Sequence, residues 1–277
     1  MKYKIVSWIF SRYRRSIYPK VNDLKGSTRL RDFLFSLAER GAESFSGESK
    51  DVFERGDWDN LIILDACRYD IYCDVVGECG KRITKASTSH EYLQENFSEG
   101  DFSDTVYVSA NIFFTDQMME KYIGRKDIFH EKFDTINTDW NEEIGVSLPE
   151  HVRRDAVTAE NLFPEKRKII HFLQPHRPFI RNNLEDKGDV YKLAELGKIS
   201  QEEVISAYKD NLELVMEHVE ELVEEFDGRT VITADHGELL GENGLYGHIA
   251  KSDAKALREV PWHLVESPKD LEFESQL

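Results

Sequence analysis

The chain has 277 residues, 40% of them apolar and 11% aromatic, enough to bury a sizeable core as one α/β domain or one domain with an appendage. A net charge of −17 argues against a nucleic-acid partner, which would need a basic face, and no run approaches the roughly 20 apolar residues that cross a bilayer. Cys67, Cys73 and Cys79 stand in no zinc-ligand spacing, and the start shows no cleavable secretory leader. Reduced thiols and a cytoplasmic setting are therefore expected, with the cysteines as small buried apolar groups.

Residues 1–31 reverse the sign of the chain: Lys2, Lys4, Arg12, Arg14, Arg15, Lys20, Lys25, Arg29 and Arg31 face one acid, Asp23. With Trp8, Ile9, Phe10, Tyr13 and Ile17 interleaved, the arm suits peripheral contact with anionic lipid at the inner membrane face. The alternative is an arm that packs on the acidic body or stays mobile. Thr28 to Arg40 reads as a helix stopped by Gly41, and 41–50 as a polar linker. Residues 1–50 are thus an arm and helix, and 51–277 the main domain.

Asn60-Leu-Ile-Ile-Leu64 predicts a buried strand closed by Asp65. Arg82 to Lys85 predicts a short strand leading into Ser87-Thr88-Ser89, followed by a helix over His90–Phe97. Asp104 to Ser109 is a third strand, ending near Asn111. Leu148 to Leu162 reads as a helix with Pro149 in its first turn, and Lys168 to Leu173 as a fourth strand running into Gln174-Pro175-His176-Arg177-Pro178. From Ser200, a capping-box pair with Glu203 opens a long helix whose apolar steps run Val204, Tyr208, Leu212, Val215, Val219, Leu222 and Phe226. Val231 to Ala234 then delivers Asp235-His236-Gly237-Glu238 and a loop holding Gly241, Gly244 and Gly247. Strands alternating with helices predict an α/β sandwich around a largely parallel sheet.

Strand ends are where such sheets place ligands. A divalent ion held by Asp65, Asp235 and His236 would lower the pKa of a nearby hydroxyl and neutralise charge on a transferring group. A Ser or Thr at a helix N-terminus can attack there, and the dipole favours the anion it attacks. His176 and His248 are placed to meet the anion's other oxygens or to protonate a leaving group. The plainer readings are that Ser-Thr-Ser is only a helix cap and that Arg68 bridges to Asp70 or a helix end. His90, His130, His151, His218 and His263 are read as structural.

Leu61-Ile-Ile-Leu-Asp65-Ala-Cys-Arg68, His171-Phe-Leu-Gln-Pro175-His176 and Ala234-Asp235-His236-Gly237-Glu238 with its glycine loop to His248 resemble, in order, motifs of the alkaline phosphatase superfamily in its sulfatase-like branch. The resemblance implies an alkaline phosphatase-like α/β/α sandwich. It makes Asp65, Asp235 and His236 metal ligands and His176 an anion contact. His248 then stands where sulfatases carry a Lys, with Lys251 as a second candidate and Asn111 lining the pocket. No cysteine has the context of a formylglycine precursor, so no formylglycine is expected, and the nucleophile is Thr88 or Ser89, with Ser87 as N-cap. One divalent ion (Mn, Mg, Zn or Ca) is expected, since the acid needed for a second at His176 and His248 is missing. The C-terminal subdomain of secreted sulfatases is not expected after Pro261.

The function expected is metal-dependent hydrolysis of a sulfate or phosphate ester through a covalent Ser/Thr intermediate. A phospho- or sulfo-group transferase acting on a glycan or lipid head group is the first alternative, and a non-catalytic binding relative the second. The partner expected is a small-molecule, glycan or lipid ester.

Overall fold

The structure is a computed structural model that describes residues 58–265 apart from Asn183. The basic arm, the Thr28–Arg40 helix, the linker and the last twelve positions lie outside the described residues. No helix among the described residues is long and apolar enough to cross a membrane.

The elements that build the domain are β1 (Asn60–Leu64), α1 (Tyr69–Val76), β2 (Gly80–Ile83), α2 (Ser89–Phe97), β3 (Phe102–Ser109), α3 (Asp116–Ile123), β4 (Phe129–Asp134), α4 (Pro149–Leu162), β5 (Arg167–Phe172), α5 (Val190–Glu195), α6 (Gln201–Glu225), β6 (Thr230–Thr233), the small pair β7 (Leu239–Leu240) and β8 (Tyr246–Gly247), and β9 (Glu259–Val265). One seven-stranded sheet has the order β2-β9-β6-β1-β5-β3-β4. The run from β6 to β4 is parallel, whereas β9 pairs antiparallel with both β6 and β2.

The apolar run of β1 fits a strand covered on both faces. Leu61 and Ile63 join Tyr92, Leu93, Phe97 and Met119 on one side, and Ile62 and Leu64 join Tyr208, Leu212, Val215 and Val219 on the other. The expected sandwich is therefore present, with α6 lying along one face. Its capping box is formed: Ser200 Oγ accepts the Glu203 N–H at 3.2 Å and Glu203 Oε2 accepts the Ser200 N–H at 2.9 Å.

Two sheet strands were not legible. β4 is an edge strand whose partly exposed Phe-His-Glu-Lys-Phe-Asp sequence shows no sustained apolar run, and β9 carries Pro261. Helices α1, α3 and α5, of six to eight residues, were also missed. The second strand lies two residues earlier than predicted. Three reduced thiols are not what the structure holds: Cys73 and Cys79 form a disulfide tying the end of α1 to the start of β2, and Cys67 is the free, buried thiol.

Candidate active site

Parallel pairing of β1 with β6 sets Ile63 beside Thr233, so Asp65 and Asp235 leave neighbouring strand ends. The chain turns at once after Asp65. Ala66 takes a left-handed φ of 59°, held by its N–H donating to Asp235 Oδ1 at 3.0 Å and by Tyr208 O–H donating to its carbonyl at 2.6 Å. Asp235 Oδ1 also accepts the His236 N–H at 2.8 Å. Asn111 Nδ2 donates to Asp65 Oδ2 at 2.7 Å. One oxygen of each carboxylate is thereby hydrogen-bonded. The others, Asp65 Oδ1 and Asp235 Oδ2, are buried with no hydrogen-bond partner, and lie 3.7 and 3.5 Å from His236 Nε2.

Their proximity has an electrostatic consequence. Burial, then the Asp235 and Glu238 carboxylates, push the Asp65 carboxyl well above its ordinary range, while the hydrogen bond from Asn111 pulls the other way. His236 donates its Nδ1–H to the Gly237 carbonyl at 2.7 Å, and burial holds its pKa well below the usual imidazole value, so Nε2 presents a lone pair. Two unpartnered carboxylate oxygens converging with an imidazole nitrogen are donors that could hold a divalent cation. The residues fit the ion.

The hydroxyl triplet divides by role. Ser87 Oγ donates to the Ile249 carbonyl at 2.8 Å and lies against Glu91 Oε2. Thr88, not Ser87, is the N-cap of α2: its Oγ1 accepts the Glu91 N–H at 3.4 Å and lies 3.0 Å from His90 Nδ1. Ser89 turns the other way, with Oγ 3.3 Å from His236 Nε2. Of the two candidate nucleophiles, it is Ser89 whose hydroxyl meets the carboxylate–imidazole cluster.

A second group adjoins the first: His176, Glu238 and His248 bring ligand-type atoms within 4.8 Å of one another, and the His248 ring lies 4.4 Å from that of His236. His176 donates Nδ1–H to the Arg177 carbonyl at 2.5 Å, and burial with nearby His248 and Arg177 drives its pKa down to about 3. His248 Nδ1 lies 2.9 Å from Glu238 Oε1, and Tyr191 O–H donates to Glu238 Oε2 at 3.2 Å. The acid expected to be missing beside these histidines is Glu238, three residues after Asp235. Its place in Asp-His-Gly-Glu was visible, but its partners come from loops that only folding assembles.

The remaining candidates are placed differently. Asn111 orients Asp65 through its amide, and its Oδ1 accepts the Phe113 N–H at 2.9 Å. Lys251 is exposed, with a left-handed φ of 62° and its N–H on Glu91 Oε1. Arg68 bridges as expected, to both oxygens of Asp70 and to Glu242. His171 was given no role, yet it is fully buried beside Asp235, and burial drives its pKa down to about 4.

No protein-family model matches the sequence, and no curated protein matches it either. Solved structures do. The soluble domain of lipooligosaccharide phosphoethanolamine transferase A from Neisseria meningitidis aligns at 14% identity and a TM-score of 0.50 over 78% of this chain and 79% of that one. The C-terminal periplasmic domain of a phosphoethanolamine transferase from Campylobacter jejuni aligns at 18% and 0.47, over 74% and 78%. A protein in the alkaline phosphatase superfamily from Vibrio parahaemolyticus aligns at 10% and 0.40, over 81% and 62%. The chain has the alkaline phosphatase-like fold. That is the α/β sandwich with a largely parallel sheet expected from the sequence, and the Neisseria soluble domain shares it. The cytoplasmic expectation does not survive: the Cys73–Cys79 disulfide suits an oxidising compartment.

Proposed function

We propose that this chain is a metal-dependent phosphotransferase, acting outside the cytoplasm through a covalent intermediate on Ser89 and passing its phospho group to a hydroxyl of a lipid or glycan. The observation that carries this reading is Ser89 Oγ at the first position of α2, 3.3 Å from His236 Nε2 and beside two carboxylates with unpartnered oxygens. An ion held by Asp65, Asp235 and His236 would supply Lewis acidity, lowering the hydroxyl's pKa and offsetting charge on the transferring group.

The chain's own groups do the rest. Ser89 Oγ attacks phosphorus of a phosphate ester, its proton passing to water and returning when the serine is later freed, while the bond to the leaving alcohol breaks and His248, oriented by Glu238, gives that oxygen a proton. The amino end of α2 favours the anion, and His176 meets an oxygen that does not react. An acceptor hydroxyl then returns a proton to His248 and attacks the phosphoserine, freeing Ser89. Hydrolysis was the first expectation. Transfer is preferred because the soluble domain sharing the fold at a TM-score of 0.50 belongs to a lipooligosaccharide phosphoethanolamine transferase.

The test is turnover of aryl phosphate, phosphodiester and sulfate esters by metal-loaded protein, with glycerol as acceptor. Ser89→Ala is expected to lose at least 1000-fold, in line with removal of an attacking group (~10³ or more). Thr88→Ala loses only the α2 cap, about 1 kcal/mol of stability. Full activity in Ser89→Ala, or product that never includes glycerol, overturns the assignment. One ion per chain matches the Glu238–His248 pair acting in proton transfer; two per chain would reassign His176, Glu238 and His248 as ligands.

A further inference from the structure

His171 lies on β5, which pairs with β1, and it is fully buried among the rings of Tyr92, Tyr107 and Phe114. A phenylalanine would pack there without the cost of burying two ring nitrogens, so each nitrogen needs an account. Nδ1 lies 2.9 Å from the Tyr107 hydroxyl. Nε2 has no hydrogen-bond partner, and Asp235 Oδ2, equally without one, lies 3.8 Å away.

The two ends decide the tautomer. Asp235 Oδ1 is saturated by two backbone N–H groups, so Oδ2 is the oxygen left for an ion. A lone pair on Nε2 facing that oxygen would be repelled; an N–H would be attracted. The proton therefore belongs on Nε2, which leaves Nδ1 to accept from Tyr107 O–H.

We propose that Tyr107 and His171 form a positioning relay for the metal ligand Asp235, with the tyrosine hydroxyl fixing the imidazole so that its Nε2–H faces Oδ2. This rests on the metal reading of Asp65, Asp235 and His236. A carboxylate steered in this way keeps its free oxygen pointed at the ion, and loss of such a partner commonly weakens metal affinity ~10–100-fold.

The experiment is titration of chelator-treated full-length chain with Zn²⁺ against a chromophoric competitor, the site being the share of binding that Asp235→Ala removes. His171→Phe is expected to weaken that share about 10–100-fold, and His171→Gln, which keeps an N–H, to recover part of it. Tyr107→Phe, which preserves ring packing, is expected to fall between wild type and His171→Phe. Metal-free unfolding midpoints identify any variant that merely folds poorly, and long-range ¹H–¹⁵N spectra are expected to show one imidazole protonated at Nε2. Wild-type Zn²⁺ affinity in both His171→Phe and Tyr107→Phe, with Asp235→Ala defective, overturns the relay alone. Wild-type affinity in Asp235→Ala overturns the metal site and the relay with it.

Discussion

At the residue scale, burial is what makes these side chains usable and what makes them sensitive to pH. His171 and His176 are driven to about 4 and about 3 from an ordinary 6.5, because a buried imidazole loses hydration on charging. Their depressed folded pKa means the unfolded chain binds protons that the folded chain does not, so stability present above pH 6.5 is lost as pH falls toward those folded values. Asp65 has the opposite sign: raised above 3.8, it takes a proton in the folded state first and offsets part of the loss. Metal-free protein is therefore expected to lose unfolding free energy, read by urea titration, below about pH 6.5, by up to about 1.4 kcal/mol per pH unit for each buried histidine. Asp65→Asn should steepen that slope, and a slope unchanged in the variant would contradict the assignment. The convergence of Asp65, Asp235 and His236 was legible because each sits at a strand end or directly after one. Glu238, Tyr191 and Tyr107 were not, since what they do depends on an atom contributed from far along the chain.

At the element scale, α6 does more than cover the sheet. Its apolar stripe and capping box were readable from steps of three and four and from Ser200 with Glu203. Tyr208 counts as one more apolar residue in that stripe, yet its hydroxyl donates to the Ala66 carbonyl and accepts the Arg68 N–H at 3.0 Å. The helix thus holds the left-handed turn that carries Asp65 into the site and lets Ala66 N–H reach Asp235. Tyr208→Phe is expected to cost about 1–3 kcal/mol in urea unfolding, the range for buried polar groups left without a partner. It should also weaken metal binding, because Ala66 loses one of its two ties. A side chain's position follows from periodicity, but a hydroxyl's partner does not.

At the scale of the whole molecule, compartment is a prediction with a simple assay. Protein denatured without reductant is expected to show one reactive thiol, Cys67, and three after reduction, the chain holding three cysteines in all. Opening the short Cys73–Cys79 loop should destabilise the fold by about 2 kcal/mol, as chain entropy for a loop of that size implies. Three thiols before reduction would remove the argument for an oxidising compartment. The cysteines show how an odd count misled: three residues leave one over whichever two pair, and pairing is decided by the end of α1 meeting the start of β2. Alternation of strand and helix determined the sandwich, and polar residues closing apolar runs determined which side chains gather at its carboxyl edge. Those patterns are local, set by the period of each element and by where it stops. Sheet order, the antiparallel β9 and edge β4, the placement of the Ser89 hydroxyl beside His236, and the partners of His171 and Glu238 came only from the tertiary structure. Each depends on which segments, distant in the chain, end up within a few ångströms, and no period within either segment records that distance.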